Sequence, residues 1–106
     1  MQAGKLRHRI EVQEKTVTHN ELNEEVAAWE TARKLWADAR ETGAREVYQA
    51  QKLWSEASAV FVVRYTLSVT GHNRIGYAGR TFEILGTYDP EGTRRALYLA
   101  AKEVTT

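Results

Sequence analysis

The stretch Ala59–Tyr88, AVFVVRYTLSVTGHNRIGYAGRTFEILGTY, decides the fold. It opens on a continuous apolar run, Ala59 to Val63, rich in β-branched and aromatic residues. It then alternates, with Tyr65, Leu67 and Val69 on one side and Arg64, Thr66 and Ser68 on the other. Further strands are expected at Arg74–Tyr77 and Arg80–Thr87, separated by Ala78-Gly79. Period-2 patterning between glycine-containing turns marks antiparallel strands with one buried face. The doubly apolar start predicts that Val60 and Val62 are covered as well, by a helix, a second sheet or another subunit. The Ala78-Gly79 turn reads as type I with Gly79 left-handed, because type I′ would force Ala78 to positive φ.

Working outward, Leu6, His8, Ile10 and Val12 alternate with Arg7, Arg9, Glu11 and Gln13, a strand with one face inward. The polar run 16–25 reads as an exposed loop with Asn20 and Asn23 as turn formers. Residues 26–40 stay open between two readings. A helical stripe passes through Leu22, Val26, Trp29 and Trp36, yet it places Arg33 and Arg40 on its apolar face, and the same residues alternate as short strands. Residues 44–57 carry a cleaner helical pattern, with Gly43 as N-cap and Glu46 placed to bond back to it. Asp89-Pro90-Glu91-Gly92 suits a type I turn, and Arg95–Val104 a closing strand with Leu97, Leu99 and Ala101 on one face.

With 106 residues the chain is one domain, 1–106, able to fold alone. No cysteine is present, which excludes disulfides and thiolate metal sites and suits an intracellular setting. No signal-peptide pattern or bilayer-spanning run is read, so no membrane partner is expected. The three histidines lack metal-ligand spacing, and no serine elbow, P-loop or dinucleotide motif occurs. No enzyme, cofactor or metal is expected. A nucleic-acid reading draws on Tyr65, Tyr77, Phe82, Tyr88 and Tyr98 with Arg64, Arg74, Arg80, Arg94 and Arg95 as a stacking face. Net charge of only +1 weighs against it. Charge is uneven, however. Between Thr16 and Ala32 stand Glu21, Glu24, Glu25 and Glu30 with no Lys or Arg.

One set of residues, in order along the chain, resembles the phage head–tail adaptor or head-closure family. These are Ala3–Ile10 (AGKLRHRI), Trp29, Leu35-Trp36-Ala37, Gly43 with Arg45-Glu46, Ala50-Gln51, Val62–Tyr65, Arg74-Ile75, Tyr77–Ile84 (YAGRTFEI), Asp89, Leu97 and Glu103-Val104. Ala78 departs from the family, which often has Asn there. The resemblance implies a mainly β fold: a small antiparallel β-barrel or sandwich with one helix, about 44–57, packed on it, so that Val47 and Trp54 are expected to cover Val60 and Val62 with Trp54 largely buried. It also assigns 26–40 to a strand hairpin.

Functionally, the resemblance implies a structural virion protein at the head–tail connector, assembled in the host cytoplasm. It would form a ring with itself, typically a dodecamer, between a portal or adaptor protein and a tail protein. Double-stranded DNA would pass without specific binding. A loop facing the channel would comprise Val17, Thr18, His19, Asn20, Glu21, Leu22, Asn23, Glu24 and Glu25. Lys5, Arg7, Arg9, Arg94 and Arg95 are candidate intersubunit or partner contacts. The alternatives are a nucleic-acid-binding small barrel and a different tail-completion component.

Overall fold

The computed structural model describes residues 6–41 and 43–105. Its elements run β1 (His8–His19), β2 (Glu25–Glu41), α1 (Arg45–Gln51), β3 (Ala59–Arg64), β4 (Arg74–Tyr77), β5 (Arg80–Tyr88) and β6 (Ala96–Val104). The strands pair antiparallel and close into a barrel in the order β1-β2-β3-β6-β5-β4. No described helix is long and apolar enough to cross a membrane.

The open segment 26–40 is strand. It belongs to a single continuous β2 that pairs with β1 from His8↔Ala37 to His19↔Glu25. Pairing along a whole strand outweighs the few tenths of a kcal/mol per residue by which Ala, Glu, Lys and Arg favour helix. The same pairing corrects the expected loop at 16–25. Residues 16–19 end β1, Glu25 begins β2, and only the residues between them turn.

The barrel interior holds Ile10, Val12, Ala37, Phe61, Val63, Ile75, Phe82, Ile84, Leu97 and Leu99. Phe61 sits edge-on to Phe82 at 5.0 Å and to Tyr77 at 5.5 Å between ring centroids. On the outer face, Val47 and Ala50 of α1, with Ala57, cover Val60, Val62 and Ala100. Residues 59–63 are therefore buried on both faces, which is why they read as an unbroken apolar run.

The helix itself is half the expected length. Gly43 takes φ +92° and Ala44, extended, stands at the N-cap without a side-chain bond. Glu46 does not bond back to the cap; its carboxylate lies 3.6 Å from the Arg40 guanidinium. At the other end the chain must turn back to bring Ala57 under the helix. The Gln51 side chain closes that turn by donating to the Ala57 carbonyl at 2.9 Å. Trp54 is partly buried and packs against the cluster that holds Val60 and Val62, and it reaches across to β5 as well. Its indole covers Gly86, where a Cβ would collide with the ring, and stands 5.8 Å from Tyr88.

Three further details differ from expectation. β3 stops at Arg64, and residues 65–73 form a loop. In it Leu67 is 83% exposed while Val69 is buried. The hydroxyl of Thr66 accepts from the Ser68 amide at 3.2 Å and the Asn73 carboxamide accepts from the Thr70 amide at 2.9 Å, so side chains replace a strand ladder. At the β4–β5 hairpin both Ala78 (φ +52°) and Gly79 (φ +76°) are left-handed, a type I′ turn. A two-residue loop between strands of natural twist demands that geometry, even at the cost of placing alanine there. The Asp89–Gly92 turn closes as expected, with the Gly92 amide 3.2 Å from the Asp89 carbonyl, and the last strand starts one residue later, at Ala96.

Candidate functional site

Pairing between β1 and β4 covers only Glu11–Gln13. Among the described residues, β1 beyond Gln13 pairs with β2 alone, and the two leave the barrel as a ribbon. This arm explains an outline of 49 × 26 × 25 Å. A bulge marks its base, where Val12 faces Arg33 but Gln13 faces Thr31, leaving Ala32 as the extra residue. Bulges sharpen local twist and redirect a strand.

Three contacts brace the base. The buried Asn73 carboxamide donates to the Gln13 carbonyl at 3.1 Å. Arg33 Nη1 donates to Ser68 Oγ at 2.6 Å. The Arg74 guanidinium lies 4.4 Å over the Trp29 ring, and Trp29 is half-buried in a ribbon that is otherwise almost wholly exposed. Glu14 and Glu30 oppose each other across the ribbon, a like-charge pair that works against closure.

The tip is a compact turn. The Asn20 side chain accepts from the Leu22 amide at 2.9 Å and the Glu24 amide at 3.0 Å, while its own carbonyl accepts from the Asn23 amide at 2.9 Å. Asn23 takes φ +60°, a conformation asparagine tolerates better than most residues. Of the nine residues expected to face a channel, Val17, Thr18 and His19 form the end of β1. Asn20–Glu24 make the turn, and Glu25 opens β2. All nine are exposed, Leu22 at 78%. The arm brings them together, and with Glu14 and Glu30 it carries five glutamates against the single cation Lys15.

The basic candidates do not converge. Lys5 lies outside the described residues. Arg7 is exposed just before β1, and Arg9, on the outer face of β1, stacks 4.9 Å from the Trp36 ring. Arg94 and Arg95 are exposed in the β5–β6 loop, where the Arg94 amide donates to Asp89 Oδ2 at 2.7 Å. β1 and β6 stand on opposite sides of the six-stranded ring of pairings.

The aromatic set is divided too. Tyr65, Tyr77 and Phe82 pack with the interior, and Tyr88 and Tyr98 pack with the cluster under α1. They make no common stacking face. Among the described residues no group of three or more His, Asp or Glu could hold a metal ion. Among the described residues, an ionic cluster forms around the half-buried Arg80 at the far end of the barrel. Arg80 donates to Glu103 at 2.8 Å and lies 2.7 Å from Glu41, and its hydrogen bonds hold the Glu103 carboxyl below its ordinary range. Sequence reasoning missed Trp29, Arg74 and Asn73 as the supports of the arm, because the three meet only through tertiary pairing.

A family model described as phage head completion protein matches residues 1–104. The solution structure of a Shigella flexneri 2a protein superposes with a TM-score of 0.76 at 26% identity, over 97% of this chain and 96% of that one. A chain in the virion of a native gene transfer agent particle superposes at 0.61 with 19% identity, over 95% of this chain and 97% of that one, and shares the fold. A search of curated proteins finds no match.

Proposed function

Because the chain belongs to the phage head completion protein family, we propose that this structural virion protein forms a ring at the head–tail connector with its acidic arms turned toward the DNA channel. The ring, a dodecamer, sits beneath the portal or adaptor and offers its other face to the tail. Subunit contacts in such a ring are heterologous, one surface meeting a different surface of the next copy.

The observation that carries the reading is the arm: a ribbon that leaves the barrel, has no core of its own, and ends in exposed glutamates. DNA adheres to proteins through cations that displace its counterions. A lumen lined by Glu21, Glu24 and Glu25 from every copy offers none, so duplex slides past without specific binding.

The test is ejection from particles assembled with the E21K/E24K/E25K variant. Slowed DNA exit is the expected result, and unchanged ejection kinetics with normal assembly overturns the channel placement. Electron microscopy of connectors with and without the protein checks the ring: an added layer at the portal end supports it, and no added density removes it.

A further inference from the structure

The barrel wall is split between β2 and β3. These strands pair only over Asp38–Glu41 and Ala59–Val62. β3 nevertheless stays paired with β6 through Arg64, and β2 with β1 well above Asp38. Among the described residues, therefore, no strand lies beside the β3-facing edge of β2 from Lys34 to Ala37. The two strands diverge around a cleft of about 580 Å³.

Leu6 is part of its lining, and the rest follows the alternation of the strands. Leu35, Val63 and Tyr65 belong to the barrel interior, while Lys34, Trp36 and Arg64 stand on the outer side. Trp36 is 53% exposed, although its indole is held flat by Arg9. Among the described residues, two cations and no carboxylate line the cleft. Neither Lys34 nor Arg64 has an ion-pair partner among the described residues, even though Glu11 stands opposite Lys34 in the β1–β2 register.

An unpaired strand edge is a template for another strand, and the pockets beside it choose the side chains. We propose that this split is a docking groove for an extended acidic–aliphatic segment of a partner virion protein, added as a short strand on the free edge of β2. Period-2 geometry specifies the occupant. Aliphatic residues point inward onto Leu35, Val63 and Tyr65, and alternate carboxylates point outward to Lys34 and Arg64. Tryptophan and arginine are the residue types that most often dominate protein interfaces, and the stacked Arg9–Trp36 pair borders the groove. The proposal does not depend on which way the arm points.

The experiment uses the full chain and a synthetic hexapeptide alternating glutamate with valine or isoleucine, followed by two-dimensional NMR. Saturable shifts confined to amides 34–37 and 63–66 are expected. Binding should be about tenfold weaker for K34E/R64E, since tenfold corresponds to ~1.4 kcal/mol and two ion pairs reverse sign. A lysine-for-glutamate peptide and one with proline at its centre should not bind. No saturation at millimolar peptide, equal binding of the lysine peptide, shifts elsewhere, or unchanged affinity in K34E/R64E would each overturn the proposal. Concentration-dependent shifts of the same amides without peptide would assign the groove to a second copy, and overturn it too.

Discussion

Replacing Trp29 with alanine should loosen the arm and leave the barrel intact. The arm has two strands and no core, and an isolated two-stranded ribbon is marginal in water. What distinguishes Trp29 from its neighbours is that it is half-buried, under Arg74 at the base. Half-covering a tryptophan removes roughly 100 Å² from water, worth ~2.5 kcal/mol at about 25 cal/mol per Å². The Arg74 stack is included in the contact and accounts for ~0.5–1 kcal/mol of coupling at an exposed site. W29A should therefore raise local opening of the arm by roughly thirtyfold or more, since 1.4 kcal/mol is about a factor of ten. R74A should raise it only about two- to fivefold. Amide hydrogen exchange reads this directly, because the paired amides of 14–19 and 25–31 report the arm and those of β3, β5 and β6 report the barrel. A double-mutant cycle between W29A and R74A isolates the stack. Equal loss of protection in arm and barrel would refute the claim that Trp29 acts locally. Unchanged arm protection would refute the claim that it acts at all.

Two further outcomes are expected. A78G should stabilise the protein by roughly 0.5–1 kcal/mol and raise the melting temperature by a few degrees, because alanine at positive φ pays a steric cost that glycine does not; a calorimetric scan checks it. Glu103, held below its ordinary 4.5 by hydrogen bonds from Arg80, contributes stability above that pH and loses it as pH falls through the folded value. Urea titrations between about pH 5 and 3 should therefore show a shallower acid loss in E103Q and R80M than in the parent chain, and parallel curves would refute the pairing.

The parts of the fold that could be read from sequence are those where local pattern and tertiary burial agree. The apolar run at 59–63 announced cover on both faces, and α1 supplies it through Val47 and Ala50. The Asp89–Gly92 turn carried its own chemistry. Where local and tertiary preferences conflict, the local reading stayed ambiguous or failed. Residues 26–40 have good helix formers because much of β2 faces solvent, and a solvent-facing strand has little selection for β-branched residues. Residues 16–19 looked like loop for a related reason. A ribbon without a core has no inside, so the alternation that marks a strand is absent. Ala78 turns left-handed because the twist of the two strands it joins outweighs its own φ cost, which no local pattern reveals. The groove was invisible because an unpaired edge is a property of two strands that fail to meet, which no single stretch encodes.

The near-neutral composition concealed a second feature. The chain carries a net charge of +1, but the arm from Glu14 to Thr31 carries −4, leaving +5 on the remainder. The subunit is polar in charge, acidic at the arm and basic elsewhere. In the proposed ring this bears on whether the arms plug the channel or line it. Charges interact appreciably only within a screening length of about 8 Å at physiological salt. Tips held farther apart than that scarcely repel, whereas a closed plug would crowd Glu21, Glu24 and Glu25 from every copy inside it. Closure would need added cations or partner contacts to offset the repulsion. In the proposed ring the arms by themselves would therefore favour an open, lined channel over a plug.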